Sequence, residues 1–354
     1  MAPERVLEHL KRRLPHFEAG GAPSLRPDTP GADLWGVDVW HVPGRPAPVV
    51  VKTVVVEEAG GEGGDGAEAP GLVFEARSLE VLGPTGALAE VSNPDVRPPR
   101  LIDYDELADV AVEEDPGPYP HLGAWLAEGR SAGELGQHLG RFVAALHMRS
   151  RGRYELAGVF ENHPGFRNGS VHAAGALADR CRAAGFEAAL DVLAQAETSV
   201  RRQGECLVVG RLSPEAVLVS PQGLRVVDWT AAHFGSPAED IGYLSAHLWM
   251  RIHRAPTVHA AVQASIILRD FLRAYAAALA ARPDAGYEAA EVDACALHFG
   301  TTLLASAVAA GGSASLYGGL PPDSPVVREA ISIALRHLRA PEDVDMFSIL
   351  RPAD

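Results

Sequence analysis

Apolar and polar residues alternate through GADLWGVDVWHVP (residues 31–43), and APVVVKTVVVEE (47–58) continues the pattern after the turn-forming PGRPAP. A period of two lays one face of a strand on a core, so the two segments read as a β-hairpin. EEAGGEGGDGAEAPG (57–71) is Gly-rich and acidic and cannot bury apolar surface, which predicts a mobile loop. From Leu72 the spacing becomes helical in LVFEARSLEVLG, predicting a helix over about 72–82 that stops at a glycine. PRLIDYDELADVAVEED (99–115) predicts two more strands, and DPGPYP (115–120) a turn-rich hinge.

Beyond the hinge, SAGELGQHLGRFVAALHMRS, HAAGALADRCRAAGFEAALDVLAQAETSVRRQ and the region 257–340 carry helical periodicity in Ala, Leu and Arg. HFGTTLLASAVAAGGSAS (298–315) reads as a buried helix ended by glycines. One β-like block, ECLVVGRLSPEAVLVSPQGLRVVDWT (205–230), is embedded among these helices. The pattern predicts an α+β chain in two lobes: a small β-rich lobe over 1–114 and a larger helical lobe over 115–354 holding one β-hairpin.

Composition narrows the function classes. A net charge of −15 argues against a nucleic-acid partner, which would demand clustered basic residues, and suits a cationic ligand or simple solubility. No apolar run reaches the roughly 20 residues of a membrane span, and no basic apolar segment opens the chain. Cys181, Cys206 and Cys295 have no short pairing spacing, as expected of reduced thiols in a cytoplasmic protein. The sharpest signal is lysine: the chain has only Lys11 and Lys52, against twenty-nine arginines. A lysine kept inside the strand VVVKTVVV is a compact point charge that arginine's rigid fork would not replace.

Lys52 is followed by Glu75 in the first turns of the predicted helix, where a carboxylate could pair with it. Further on, CLVVGRLSPEAVLV sets a polar loop between two apolar strands, and Asp228 ends the strand in LRVVDWTAAHFGSPAEDIGYL, with Asp240 in the next segment. A buried Lys–Glu pair and a strand-end Asp each have an ordinary structural explanation. In this order, either side of a hinge, they are the equipment for nucleotide phosphates and Mg²⁺: lysine reaches phosphate oxygens, and the hard carboxylate takes the metal.

These segments resemble the aminoglycoside phosphotransferase and choline kinase family, small-molecule kinases with a bilobal protein-kinase-like fold. LGRFVAALH (139–147) is similar to the helix that ends in Leu-His before the family's catalytic loop. FEARSLEVL (74–82) is similar to the helix whose Glu pairs with the strand lysine. In VVDWTAAHFGSPAEDIGYL, Asp228, Trp229, Gly235, Pro237 and Asp240 match the family's metal-ligand segment. The resemblance implies ATP and Mg²⁺ as cofactors, with Lys52 and Glu75 at the nucleotide, Asp228 at the metal, and the backbone of Glu113 and Glu114 beside the adenine.

The catalytic loop departs from that pattern. The family's His-Gly-Asp-Leu-x-Pro-x-Asn becomes Val209-Gly210-Arg211-Leu212-Ser213-Pro214-Glu215-Ala216, with the frame held by Gly210, Leu212 and Pro214. Arg211 stands where the proton acceptor is expected and cannot act as a base; Ala216 replaces a metal-ligating Asn. Arg211 could instead stabilise charge on the transferred phosphoryl group, and Glu215 could replace the base. Two outcomes are compatible: a phosphotransferase with a remodelled site acting on a hydroxyl, or a pseudokinase that binds nucleotide or a partner protein as a scaffold. The resemblance implies a small-molecule acceptor such as an aminoglycoside or, in natural-product biosynthesis, Ser/Thr of a lanthipeptide-type precursor peptide. Of the histidines His233, His247, His253 and His259, the stretch HLWMRIH (247–253) has no carboxylate at ligand spacing, so packing or surface roles are expected, and MRSRGR (148–153) reads as a solvated basic face.

Overall fold

The computed structural model describes residues 1–25, 37–54, 71–161, 174–183, 185–200, 205–281, 289–309 and 316–351. The acidic glycine-rich loop (all but Gly71), residues 31–36 of the first predicted strand and the glycines expected to end the helix near 311 lie outside the described residues.

The chain opens with a helix that the strand periodicity does not predict, α1 (Pro3–Arg13). Pro3 stands at its start, Glu4 lies in its first turn, and Lys11, Arg12 and Arg13 complement the dipole in its last. Its buried face of Val6 and Leu10 packs on Trp40, Val42, Val49, Val51, Val110 and Val112. Those residues belong to β2 (Val37–Val42), β3 (Val49–Val54) and β6 (Val110–Glu114). With β1 (Ser24–Leu25) and β5 (Leu101–Asp105) they form an antiparallel five-stranded sheet in the order β1-β2-β3-β6-β5. The predicted hairpin is present, with Val42 opposite Val49.

Strand alternation decides what faces where. Val49 and Val51 point to α1. Val50 points the other way, into a cluster with Val37, Val39, Ala111 and Leu72. Lys52 shares that second face, opposite Val39 on one neighbour and Ala111 on the other. On this side lies α2 (Val73–Leu82), starting one residue later than expected.

The core does not divide at 114/115. Leu79 and Leu82 of α2, with Leu88, Val91 and Val96, join the large cluster of the helical lobe. A short strand, β4 (Val96–Arg97), runs parallel to β9 (Gly223–Val226), which forms a hairpin with β8 (Val217–Ser220). A second pair, β7 (Cys206–Val208) with β10 (His233–Gly235), makes the embedded β block two small sheets rather than one hairpin.

The helices α3 (Leu122–Ala127), α4 (Leu135–Ser150), α5 (Ala174–Ala183), α6 (Leu190–Val200), α7 (Pro237–His253), α8 (Val258–Ala280), α9 (Ala289–Val308) and α10 (Pro325–Arg339) build the lobe around these strands. The α4 and α8 backbones approach closely at Gly136 and Gly140, where a Cβ would collide with the carbonyls of Ile267 and Phe271. This approach brings His147, near the end of α4, within reach of Tyr275. No described helix is long and apolar enough to cross a membrane.

Candidate functional site

The structure brings Lys52 and Glu75 together as a buried ion pair. It also adds a partner the sequence reading had not assigned, since the Glu113 carboxylate lies 3.2 Å from the same ammonium. Lys52, Glu75 and Glu113 are 7%, 1% and 2% exposed. Burial works against the lysine's charge, and the carboxylates of Glu113, Glu75 and Asp228 outweigh it, holding the ammonium protonated well above its ordinary range. For Glu113, burial and then Glu75 push the carboxyl up to about 8, with Lys52 opposing them.

Glu75 also reaches across to the second lobe, its Oε1 accepting the backbone N–H of Trp229 at 3.3 Å. Trp229 is fully buried and donates its ring N–H to the carbonyl of Val226. Asp228, immediately before it, has φ +62°, a left-handed conformation that Asp tolerates better than most residues. The Thr230 hydroxyl donates to Asp228 Oδ1 at 2.7 Å. A turn this constrained fixes where the carboxylate points, as binding sites require.

The loop with the replaced base is nonetheless anchored. Gly210 has φ +79°, and a Cβ there would strike the Ala231 carbonyl. Asp240, fully buried, accepts the N–H groups of Val209 and Gly210 at 2.9 Å each. His147 bonds Asp240 through Nε2 at 3.1 Å and Tyr275 through Nδ1 at 2.8 Å. A buried carboxylate with these partners is satisfied, and it fixes the backbone on which Arg211 is mounted.

Arg211 is half-buried. Glu215, the candidate substitute base, is committed to an ion pair with Arg251 of α7. Gly123 at the start of α3 makes room for that pair, since a Cβ there would collide with both partners. The same carboxylate that was expected to replace the base is thus engaged by a guanidinium from the helical lobe. Burial drives the His247 pKa down to about 4; Glu215 opposes it, while Arg251 and Arg211 add to it. Glu215, Arg251 and Arg211 are thus the charges that bear on His247.

Glu113 and Glu114 are placed differently from the expected hinge. Both lie within β6, with Val50 opposite Glu113 and Val49 opposite Glu114. The Glu114 N–H is taken by the Arg100 carbonyl at 2.8 Å, so backbone free of the sheet begins only at Asp115. The Glu114 carboxylate is gripped by Arg97 at 2.8 and 2.7 Å and by Arg100 at 3.2 Å. Burial opposes its charge, and Arg97 above all brings its pKa down to about 2. The expected solvated basic run is engaged too: Arg151 joins Glu205 and Glu291 at 2.5 and 2.6 Å.

The residues present fit a nucleotide with its metal. Glu75 Oε2 and Glu113 Oε1 are buried without a hydrogen bond, and three carboxylates bear on one ammonium, a negative surplus that a divalent cation would offset. Among the described residues no group of three His, Cys, Asp or Glu is arranged to hold a metal. Mg²⁺ bound with phosphates needs only one or two carboxylates, its other positions being filled by water and phosphate oxygens.

A five-stranded sheet with a buried Lys–Glu pair, joined to a helical lobe carrying a strand-end Asp, defines the protein-kinase-like phosphotransferase fold. The chain belongs to the phosphotransferase enzyme family, whose model matches residues 38–279. Among solved structures it is similar to spectinomycin phosphotransferase APH(9)-Ia in complex with ADP and spectinomycin, at 10% identity and TM-score 0.54, over 95% of this chain and 98% of that one. It is also similar to the GDP complex of aminoglycoside 2′-phosphotransferase-IIIa, at 14% and 0.53, over 96% and 99%. Choline kinase from Cryptosporidium parvum Iowa II follows at 9% and 0.53, over 95% of each chain. At such identities the likeness is one of fold. No curated protein matches the chain in sequence.

Proposed function

We propose that the protein binds ATP with Mg²⁺ between its lobes and transfers the γ-phosphoryl group to a hydroxyl of an acceptor. The observation that carries this reading is the buried Lys52–Glu75 pair, tied by a hydrogen bond to the backbone of Trp229, the residue beside Asp228. Lys52 would hold phosphate oxygens and Asp228 the metal, which when bound supplies charge neutralisation on the phosphates. The transition state of phosphoryl transfer is loose, and catalysis is mostly positioning and charge stabilisation, so a site without the usual base retains part of its power. Loss of a general base costs about 10²–10⁴-fold. Arg211 would act on the charge of the transferred group rather than on the acceptor's proton.

A second reading is favoured by two features of the loop, the Glu215–Arg251 pair and Ala216 at the position expected to ligate metal. In it the protein binds nucleotide without turnover and serves as a scaffold for a peptide or protein. Titration with ATP in the presence and absence of Mg²⁺, followed by incubation with γ-labelled ATP, separates the readings. The acceptors would be a panel of cationic aminoglycosides and a Ser/Thr-rich precursor peptide of the lanthipeptide type. Mg²⁺-dependent binding with label on an acceptor supports phosphotransfer. Binding with no transfer to any acceptor supports the scaffold, and absence of nucleotide binding overturns both.

A further inference from the structure

Arg225 is 8% exposed, yet among the described residues no carboxylate lies within ion-pair distance of it. Its Nη1 donates to the carbonyls of Leu224 and Gln222 at 2.9 and 3.4 Å, contacts that leave its charge uncompensated. Strand alternation explains the placement. Leu224 and Val226, on either side, enter the core of the helical lobe, so Arg225 leaves β9 from the opposite face. The parallel ladder then sets it directly beside Arg97 of β4. Like charges opposite one another on neighbouring strands repel.

The acid that bears on Arg225 is Glu114, and it is already committed. Arg97 grips both of its oxygens and Arg100 adds a third contact, so guanidiniums outnumber the carboxylate at this seam. Burial and then Arg97 bring the Arg225 pKa down, with Glu114 and Tyr119 opposing them. A cation removed from water costs stability unless an anion meets it. Donors for one are at hand: Nε and Nη2 of Arg225 have no acceptor among the described residues, and the Tyr119 hydroxyl lies 3.4 Å from Oε1 of Gln222 at the surface.

We propose that Arg225 and Arg97, with Tyr119 and Gln222, form a binding site for a phosphate-type oxyanion, separate from the site of phosphoryl transfer. Arginine's planar fork matches such an anion through paired hydrogen bonds. Neither Lys52, Glu75 nor Asp228 is among the charges that bear on Arg225, which sets the two sites apart. Arg97 comes from the first lobe and Arg225 from the second, so a bound oxyanion is held by both. Inorganic phosphate and the phosphate of a phosphorylated serine share this chemistry. The inference stands without the nucleotide reading.

The test is calorimetric titration of the full chain with sodium phosphate and, separately, with O-phospho-L-serine, each compared with sodium chloride at matched ionic strength. Both are run with and without a saturating non-hydrolysable ATP analogue and Mg²⁺, which block phosphate from the surroundings of Lys52. The wild type should bind one phosphate per chain in either condition, and Arg225→Gln should weaken it by about tenfold or more. Tighter binding of phosphoserine supports the site as one for a phosphorylated chain; tighter binding of phosphate supports the free ion. Phosphate no more effective than chloride overturns the proposal. So does binding abolished by the ATP analogue, or equal affinity in the wild type and Arg225→Gln. Amide exchange of the wild type supplies a readout that needs no variant to fold: phosphate should slow exchange along the β4–β9 ladder relative to chloride, and unchanged protection there counts against the site.

Discussion

The backbone N–H of Trp229 donates to Glu75 Oε1, the same oxygen that pairs with the Lys52 ammonium. One carboxylate thus reads two things at once, the lysine in the sheet and the position of the turn that aims Asp228. Displacing either lobe strains a single buried atom.

Removing the lysine should therefore cost stability as well as binding. Lys52→Met leaves Glu75 and Glu113 buried without a counter-charge, at about 3–5 kcal/mol. The cost should shrink in the double variant with Glu113→Gln, which removes one of the opposed charges. Denaturant unfolding of the two single variants and the double variant gives the coupling energy, and additivity would contradict the shared site.

Asp240→Ala should loosen the loop that bears Arg211, because the N–H groups of Val209 and Gly210 and the His147 ring all lose their acceptor. The expected loss is about 3–5 kcal/mol in urea unfolding, with amide exchange rising first at Val209 and Gly210.

Glu215→Gln should leave phosphotransfer within a few-fold of wild type, since its carboxylate is already spent on Arg251. Arg211→Ala should lower transfer by about 10-fold or more if the guanidinium meets the transferred charge. A steep fall with Glu215→Gln and none with Arg211→Ala, read with γ-labelled ATP, would reverse the assignment.

His247 gives an acid-sensitive contribution of definite sign. Its folded pKa lies near 4 because burial, Arg251 and Arg211 outweigh Glu215. Between about pH 6.5 and 4 the unfolded chain therefore binds the extra proton, and stability falls as pH falls. Allowing for partial solvent access, the wild type should lose on the order of 2 kcal/mol more than His247→Gln between pH 7 and pH 4.5. Urea unfolding at the two pH values checks it.

Leu10→Ala should destabilise by about 2–5 kcal/mol, since that side chain is 1% exposed on the sheet core. Thermal unfolding that leaves the variant at wild-type stability would show α1 to be a dispensable cover.

The two-residue alternation around Lys52 and the helical spacing after Leu72 are local signals, and the elements they predict are present. Glu75 was readable because it lies on the first helix after the lysine strand. Glu113 as a side-chain partner was not, because its approach depends on the register of β6 against β3, set by pairing some sixty residues apart in the chain. The Glu215–Arg251 pair likewise joins a loop to a helix turn with no spacing rule to reveal it. Helix α1 did leave a trace, Val6 and Leu10 four apart between an acidic start and a basic end. The lobe boundary drawn at the composition change missed β4, whose two residues are too few to carry any period.

That small strand has a mechanical consequence. Val96 and Arg97 are hydrogen-bonded into the ladder of Gly223–Val226, so the sheet-bearing lobe is stitched to its partner ahead of the covalent crossing near residue 115. The lobes are pinned along a line rather than joined at a point. A cut at 114/115 would part Val96 and Arg97 from their ladder partners and Leu79 and Leu82 from the cluster they share with the helical lobe.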